Sequence, residues 1–158
     1  MQDVTAARTI AAGWLSRRDY SSAQLAQRLA QRGFDAQTVQ VALAELIERR
    51  FVDDARYGRA FVAVRAGRGQ GPQRIRHELI AAGVTPALAE EALEEYAAEQ
   101  GGWTALARRV RSRRFGTAAP RDRAESARQA RFLHYRGFST DHIRAALGDE
   151  AMDGAESI

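Results

Sequence analysis

Apolar residues recur along most of the chain at intervals of three and four positions, the spacing that places side chains on one face of an α-helix. No stretch alternates apolar and polar residues over the length of a strand, and Ala, Arg, Leu, Glu and Gln, which favour helices, dominate the composition. The pattern predicts an all-α fold of about nine helices without a sheet. The expected helices lie approximately at residues 5–17, 21–33, 35–49, 53–67, 72–83, 86–100, 103–116, 120–136 and 139–148.

The apolar stripes differ in clarity from helix to helix. The expected inward side chains of the third and fourth helices are Val39, Leu43, Leu46 and Ile47, and then Tyr57, Phe61 and Val64. The eighth helix has only a short stripe, formed by Phe132, Leu133 and Tyr135, because arginines interrupt the inward positions. The sequence therefore leaves the register of the eighth helix open.

A single motif surrounds three glycines, at positions 33, 83 and 137. Each glycine has a Leu four positions before it, an apolar residue directly after it, and an Ala-Leu pair nine and ten positions after it. The interval of about 50 residues fits a unit of three helices. The motif predicts three tandem three-helix repeats, at residues 1–52, 53–100 and 101–148, followed by an acidic segment at 149–158 that we expect to be disordered.

The repeats also predict a shape. Because each three-helix unit would contact mainly its neighbours, we expect an elongated, curved array with a concave surface. Such a surface suits a filament or another long partner, and it does not suit a buried catalytic pocket.

The charge is distributed unevenly along the chain. The formal net charge is +4, and all 24 basic residues are Arg. The third repeat is strongly basic, whereas the segment 149–158 carries four acids and no Arg. We expect a polyanionic or acidic partner to contact the third repeat.

The sequence contains no constellation of residues that is typical of catalysis or of metal binding. It has no Cys, and its three His lie in different repeats without a metal-binding spacing. The glycine-rich stretch at 67–72 lacks the Lys-Ser/Thr ending of a phosphate-binding loop, and Asp53-Asp54 is better explained as the cap of a helix. We expect a protein that is not an enzyme and has no cofactor or metal. The absence of a signal segment or a membrane-spanning run predicts a cytoplasmic protein, and no feature points to an obligate dimer, so we expect a monomer.

An arginine-rich segment is the feature that is hardest to explain without a partner. Between Gly101 and Arg121 there are six Arg and no acid, which is unfavourable through self-repulsion unless something anionic is bound. Such a segment can bind phosphates or an acidic protein surface, and the sequence does not distinguish between them. The predicted partner-binding residues are Arg108, Arg109, Arg111, Arg113, Arg114, Arg121 and Arg123.

Several segments, in order along the chain, resemble the RecX family of bacterial regulatory proteins. They are Leu15-Ser16-Arg17-Arg18-Asp19-Tyr20-Ser21, the stretch from Leu25 to Arg32-Gly33-Phe34, Phe51-Val52-Asp53-Asp54-Ala55-Arg56-Tyr57, Gly71-Pro72-Gln73-Arg74-Ile75 through Glu78-Leu79 to Gly83-Val84, and Arg136-Gly137-Phe138-Ser139. The resemblance implies an all-helical protein of three three-helix repeats. It also implies a regulator that binds the RecA recombinase, lodges in the groove of its filament on DNA, and inhibits its ATPase, co-protease and strand-exchange activities. The family has no known catalytic residues.

The resemblance therefore predicts a negative regulator of homologous recombination and DNA repair, with RecA on DNA as its partner and no role at a membrane. Two alternatives stay open. One is a helical module that binds DNA directly through the third repeat, although acids on the third helices of the first two repeats would oppose this. Weak binding to single- or double-stranded DNA in addition to RecA also stays open. The other alternative is an adaptor for an unrelated acidic protein.

Overall fold

The structure is a computed structural model that describes residues 3–148, and these residues form nine α-helices and no strand. The expected disorder of the acidic segment 149–158 concerns residues outside this range. The helices are α1 (Val4–Leu15), α2 (Ser22–Gln31), α3 (Ala36–Glu48), α4 (Asp54–Gly67), α5 (Pro72–Ala81), α6 (Pro86–Gln100), α7 (Trp103–Phe115), α8 (Arg123–Arg136) and α9 (Thr140–Leu147).

Side-chain caps explain where most helices begin. The hydroxyl of Ser21 accepts a hydrogen bond from the backbone N–H of Gln24, whose side chain accepts one from the N–H of Ser21, so the capping box predicted for α2 is confirmed. The eighth helix starts at Arg123 rather than near residue 120, because the carboxylate of Asp122 accepts the N–H of Glu125 and so caps the helix there.

The nine helices form three units of three. In each unit the third helix packs against the first and second, so that α3 lies on α1 and α2, α6 on α4 and α5, and α9 on α7 and α8. The predicted all-α class and the predicted tandem array of three-helix repeats are both confirmed.

The buried side chains form two clusters. One lies within the first unit, and it includes Leu25, Leu29 and Leu46. The other is shared by the second and third units, and it joins Val62 and Leu79 to side chains of α7, α8 and α9. The second and third units are therefore connected through a common apolar core, whereas the first unit has a core of its own.

Two predicted core positions are wrong. Ile47 is 50% exposed and Val64 is 53% exposed. In α4 the buried residues are Tyr57, Gly58, Val62 and Ala66, and a Cβ on Gly58 would meet the Cβ of Ala92 in α6 at 3.5 Å. The predicted stripe is therefore buried at Tyr57, whereas Val64 lies outside the face that contacts α6.

The inward face of α8 is partly polar, which explains its weak apolar stripe. Its buried side chains are Ser126, Gln129 and Leu133, whereas Tyr135, one of the three predicted apolar positions, is 79% exposed.

Successive units are joined through the ends of their middle helices. The hydroxyl of Ser21, before α2, donates a 2.6 Å hydrogen bond to the carbonyl of Ala82, after α5. In the same way the N–H of Gly71, before α5, donates to the carbonyl of Arg136 at 2.8 Å, at the end of α8. A Cβ on Gly71 would lie 2.5 Å from the carbonyl carbon of Gly137, so this junction requires glycine. The middle helices α8, α5 and α2 therefore follow one another end to end.

Candidate partner-binding groove

A surface groove runs along the line where the end of α4 meets α7 and the end of α8. Two neighbouring cavities form it, and they share Gly67, Gly69, Val110 and Arg113. We call this surface the arginine groove, and its arginines are Arg68, Arg109, Arg113, Arg114 and Arg136. No acidic side chain lines either cavity, so the groove presents one sign of charge to a partner.

The spacing of arginines along α7 follows from the helix period. Arg109 and Arg113 are four residues apart and therefore lie on the same face, with Arg114 beside them. Val110 lies beside them and forms the apolar floor of the groove. The chain thus places a row of guanidinium groups above a small apolar floor.

An aromatic ring supports two of these arginines. The guanidinium carbons of Arg136 and Arg114 lie 5.2 and 5.7 Å from the ring centroid of Phe132, and the rings of Phe132 and Phe115 pack in a T-shaped pair. Each such cation–π contact is worth about 0.5–1 kcal/mol at an exposed site. The ring therefore restrains the two guanidinium groups at the surface of the groove.

The α4–α5 turn is held against α7 and α8. Gly69 has a φ of +84°, and a Cβ there would lie 3.2 Å from the side chain of Val110. One terminal nitrogen of Arg136 donates a 3.2 Å hydrogen bond to the carbonyl of Arg68. The turn thereby brings the arginine of the second unit beside those of the third.

A further cavity continues this surface towards the first unit. It contains Phe61 and Arg65 of α4 and Arg68, which follows α4, together with Arg18 and Asp19, which follow α1. Arg65 lies 4.6 Å from the ring centroid of Phe61. It also forms a 2.7 Å ion pair with Glu78, so its charge is partly balanced within the chain. The basic surface therefore reaches all three units and is strongest at the junction of the second and third.

Acidic side chains border the groove on the α6 side. Tyr96 lines both the groove and an adjacent cavity that contains Glu95, Glu99 and Arg59. The predicted acidic outer face of α6 is therefore close to the arginines, and a partner that enters the groove also meets negative charge at this edge.

The seven predicted partner-binding residues fall into separate places. Arg109, Arg113 and Arg114 lie in the arginine groove. Arg108 is exposed and donates a 3.4 Å hydrogen bond to the carbonyl of Ala145 in α9. Arg121 and Arg123 are exposed near the start of α8 and line neither cavity of the groove.

Arg121 is engaged within the chain. Its Nε lies 2.9 Å from the carboxylate of Glu125. This hydrogen bond raises the pKa of Arg121 and lowers the pKa of Glu125. The charge of Arg121 is therefore partly balanced before any partner binds.

Arg111 is buried, with 7% of its surface exposed, and it does not face the groove. Its Nε donates a 2.8 Å hydrogen bond to Oε1 of Gln129, and a terminal nitrogen donates to the carbonyl of Ala118. Arg111 therefore lies on the side of α7 that faces Gln129 of α8, and not on the exposed side that carries Arg109 and Arg113. We therefore remove Arg111 from the predicted interface.

Sequence reasoning missed Arg68 and Arg136 because they are distant from α7 along the chain. One signal could have found them. Both residues lie at the end of a helix next to a glycine, and each of these helix ends precedes a turn that contacts the neighbouring unit.

The described part of the chain shows no other candidate site of a recognisable type. Within residues 3–148 no group of three His, Cys, Asp or Glu side chains could hold a metal ion. None of the helices in this range is both long and apolar enough to span a membrane.

Comparisons with known proteins agree on one family. Models of the first, second and third three-helix domains of RecX match residues 7–46, 53–93 and 104–147. Regulatory protein RecX of Halorhodospira halophila is 45% identical over 141 residues, covering 89% of this chain and 86% of that protein. That of Vibrio vulnificus is 38% identical over 137 residues, covering 87% of this chain and 88% of that protein. The crystal structure of RecX from Lactobacillus salivarius superposes with a TM-score of 0.78 at 18% identity, covering 98% of this chain and 97% of that one.

Proposed function

The chain belongs to the RecX family of regulatory proteins, and we propose on that basis that it is a negative regulator of RecA. It binds the RecA filament on DNA and inhibits the ATPase, co-protease and strand-exchange activities of RecA. The partner is the assembled filament rather than a single subunit, and the bound protein blocks the path of the incoming duplex.

The arginine groove is the observation that carries this proposal. It forms where two units meet, and the basic surface continues to the third, so a contact along it extends over more than one repeat. A filament presents its acidic side chains and its DNA phosphates repeatedly along one axis. A contact along several repeats therefore gains from avidity, because the second contact forms at a high effective concentration once the first has formed.

The first experiment measures the DNA-stimulated ATPase of RecA with single-stranded DNA in excess. The protein is titrated at ratios well below one molecule per RecA, at about 50 mM and about 200 mM salt. We expect inhibition at these ratios, and weaker inhibition at the higher salt because the groove is positively charged. If the protein neither inhibits the ATPase nor binds RecA, the proposal is wrong.

A matched pair of charge reversals tests the groove itself. The variant Arg109→Glu/Arg113→Glu reverses two groove arginines, whereas the control Arg32→Glu/Arg131→Glu makes the same change in net charge at exposed positions outside the groove. We expect the groove variant to require about tenfold more protein for half-inhibition, a loss of about 1.4 kcal/mol. The control stays near the wild-type value. Circular dichroism checks that both variants keep their helix content.

Direct DNA binding is the second candidate, because the groove combines arginines with the ring of Phe132, a combination found in single-strand binding sites. The acids of α6 beside the groove oppose this function. Fluorescence anisotropy with a labelled oligo(dT) distinguishes the two. Strong, salt-sensitive binding to the oligonucleotide without any effect on RecA would favour the DNA-binding module.

A further inference from the structure

A separate cavity lies where the first unit meets the second, and we call it the α4 cavity. Its lining residues are Tyr57, Ala60, Phe61, Val64 and Arg65 of α4, together with Arg18, Asp19 and Arg68. The cavity has a volume of about 290 Å³. Pockets for small molecules usually measure about 300–1,000 Å³, so this one is better suited to one or two side chains than to a cofactor.

The apolar wall of the α4 cavity is open to solvent. Phe61 and Val64 are three residues apart and therefore lie on the same side of α4. Phe61 is partly buried beside the ring of Tyr57, with 6.0 Å between the ring centroids, whereas 53% of Val64 is exposed. A partner that packs an apolar side chain on this wall removes it from water, which is favourable in proportion to the area covered.

Arginines border this apolar wall. The guanidinium carbon of Arg65 lies 4.6 Å from the ring centroid of Phe61, and the charge of Arg65 is partly balanced by its ion pair with Glu78. Arg18 and Arg68, by contrast, form no ion pair with another residue in the range 3–148. The cavity therefore combines an exposed apolar wall with two uncompensated positive charges.

This combination of groups favours a protein segment over a nucleic acid. Bases stack on aromatic rings, but Val64 is aliphatic and the guanidinium of Arg65 already lies over the ring of Phe61. Asp19, the one acid among the described lining residues, also repels a phosphate backbone. A protein segment that carries an apolar side chain next to a carboxylate matches both the wall and the arginines. Side chains that pack into such pockets contribute most of the energy in many protein interfaces.

We propose that the α4 cavity binds a protein segment through an apolar side chain packed on Phe61 and Val64 and a nearby carboxylate attracted by Arg18 and Arg68. The proposal rests on the proposed function only in taking this segment from the surface of RecA. Because Arg68 lines both the α4 cavity and the arginine groove, the two sites form one continuous contact surface.

A single added charge distinguishes an apolar contact from a phosphate contact. Val64→Lys places a positive charge in the cavity, and the control Val41→Lys makes the same change at an exposed valine of α3 outside the cavity. We expect Val64→Lys to require about tenfold more protein for half-inhibition of the RecA ATPase, and Val41→Lys to stay within about twofold of the wild type. An unchanged requirement for Val64→Lys would overturn the proposal, and so would a lower one, which would indicate that the cavity binds phosphate.

Truncations at two salt concentrations test the apolar and the charged parts separately. Val64→Ala should raise the half-inhibiting concentration about threefold at both about 50 mM and about 200 mM salt, because salt does not screen an apolar contact. Arg18→Gln should raise it about three- to tenfold at the lower salt and less at the higher, whereas the control Arg17→Gln, outside the cavity, should have a smaller effect. No effect of Val64→Ala in a protein with wild-type circular dichroism, or equal effects of the two Arg changes, would also overturn the proposal.

The same assay separates this proposal from the proposed function. If Arg109→Glu/Arg113→Glu weakens inhibition and Val64→Lys does not, the proposed function stands and the α4 cavity is not a contact. If the wild type neither binds RecA nor inhibits its ATPase, both proposals are wrong.

Discussion

Removal of the buried guanidinium of Arg111 should destabilise the third unit, although its neighbours on α7 are exposed and tolerant. The change Arg111→Ala leaves Oε1 of Gln129, a side chain only 1% exposed, without its donor. A hydrogen bond from a charged group is worth about 1.5–3 kcal/mol, and the lost packing of the side chain adds to it. The carbonyl of Ala118 is at an exposed residue and can accept from water instead. We therefore expect a loss of about 2–4 kcal/mol in the free energy of unfolding.

Urea denaturation followed by circular dichroism measures this loss, and Arg113→Ala is the matched control because it removes the same group from an exposed position of the same helix. We expect the control to stay within about 0.5 kcal/mol of the wild type. At about 2–4 °C per kcal/mol for a chain of this size, Arg111→Ala should also lower Tm by about 5–15 °C.

A double variant examines the cause. The change of both partners to apolar residues, Arg111→Leu/Gln129→Leu, should cost less than the sum of the single changes, since no donor or acceptor of the pair is then left alone. If Arg111→Ala is as stable as Arg113→Ala, Arg111 is not buried and the assignment of α7 faces given above is wrong.

Three further predictions concern the junctions and the caps. Gly71→Ala should lower the free energy of unfolding by about 3 kcal/mol or more, measured in thermal melts, because the new Cβ would lie 2.5 Å from the backbone of the α8–α9 turn. Gly67→Ala is the control: Gly67 has open space around it, so this change should be neutral or stabilising by about 0.5–1 kcal/mol. In urea denaturation, Ser21→Ala should lower the free energy of unfolding by about 2 kcal/mol and Ser139→Ala by about 1 kcal/mol. Both changes remove a capping box, but only Ser21 also joins two units. Equal losses would contradict the role of the junction. The backbone N–H of Thr38 lowers the pKa of Asp35 below its ordinary value of 3.8. The wild type should therefore be more stable than Asp35→Asn above that pH, and the difference in stability should shrink as the pH falls below it. Urea midpoints at several pH values measure this difference, and a difference that does not change with pH would exclude this origin.

The helices could be predicted from the sequence because their signals are local. A cap such as Ser21 or Asp35 and a glycine such as Gly33 act within a few residues, and the repeat of the glycine motif showed how many units to expect. The start of α8 was misplaced by a few residues because Pro120 and Asp122 are both acceptable near a helix start, and only the cap bond selects between them.

The composition of the groove could be predicted only in part. The row of arginines on α7 is visible in the sequence, but Arg68 and Arg136 join it through contacts between units, and the glycines beside them mark only the ends of their helices. The position of Arg111 is also decided by tertiary structure, since a polar residue, Gln129, faces it from α8. Val64 was misassigned for a related reason, because the face that α4 buries runs through Tyr57, Val62 and Ala66 and leaves Val64 outside it.

The end-to-end order of the middle helices has a consequence for how far such a protein can diverge. At the junction of the second and third units, main-chain hydrogen bonds and the glycines Gly71 and Gly137 place few demands on the side chains outside the apolar core that the two units share. This contact between the units can then be inherited while most of the surface is replaced, provided that the shared core stays apolar. The Lactobacillus salivarius structure shares this fold, with a TM-score of 0.78, although only 18% of its residues are identical. Selection is thereby left free to change the charge and shape of the groove without rebuilding the scaffold that holds it.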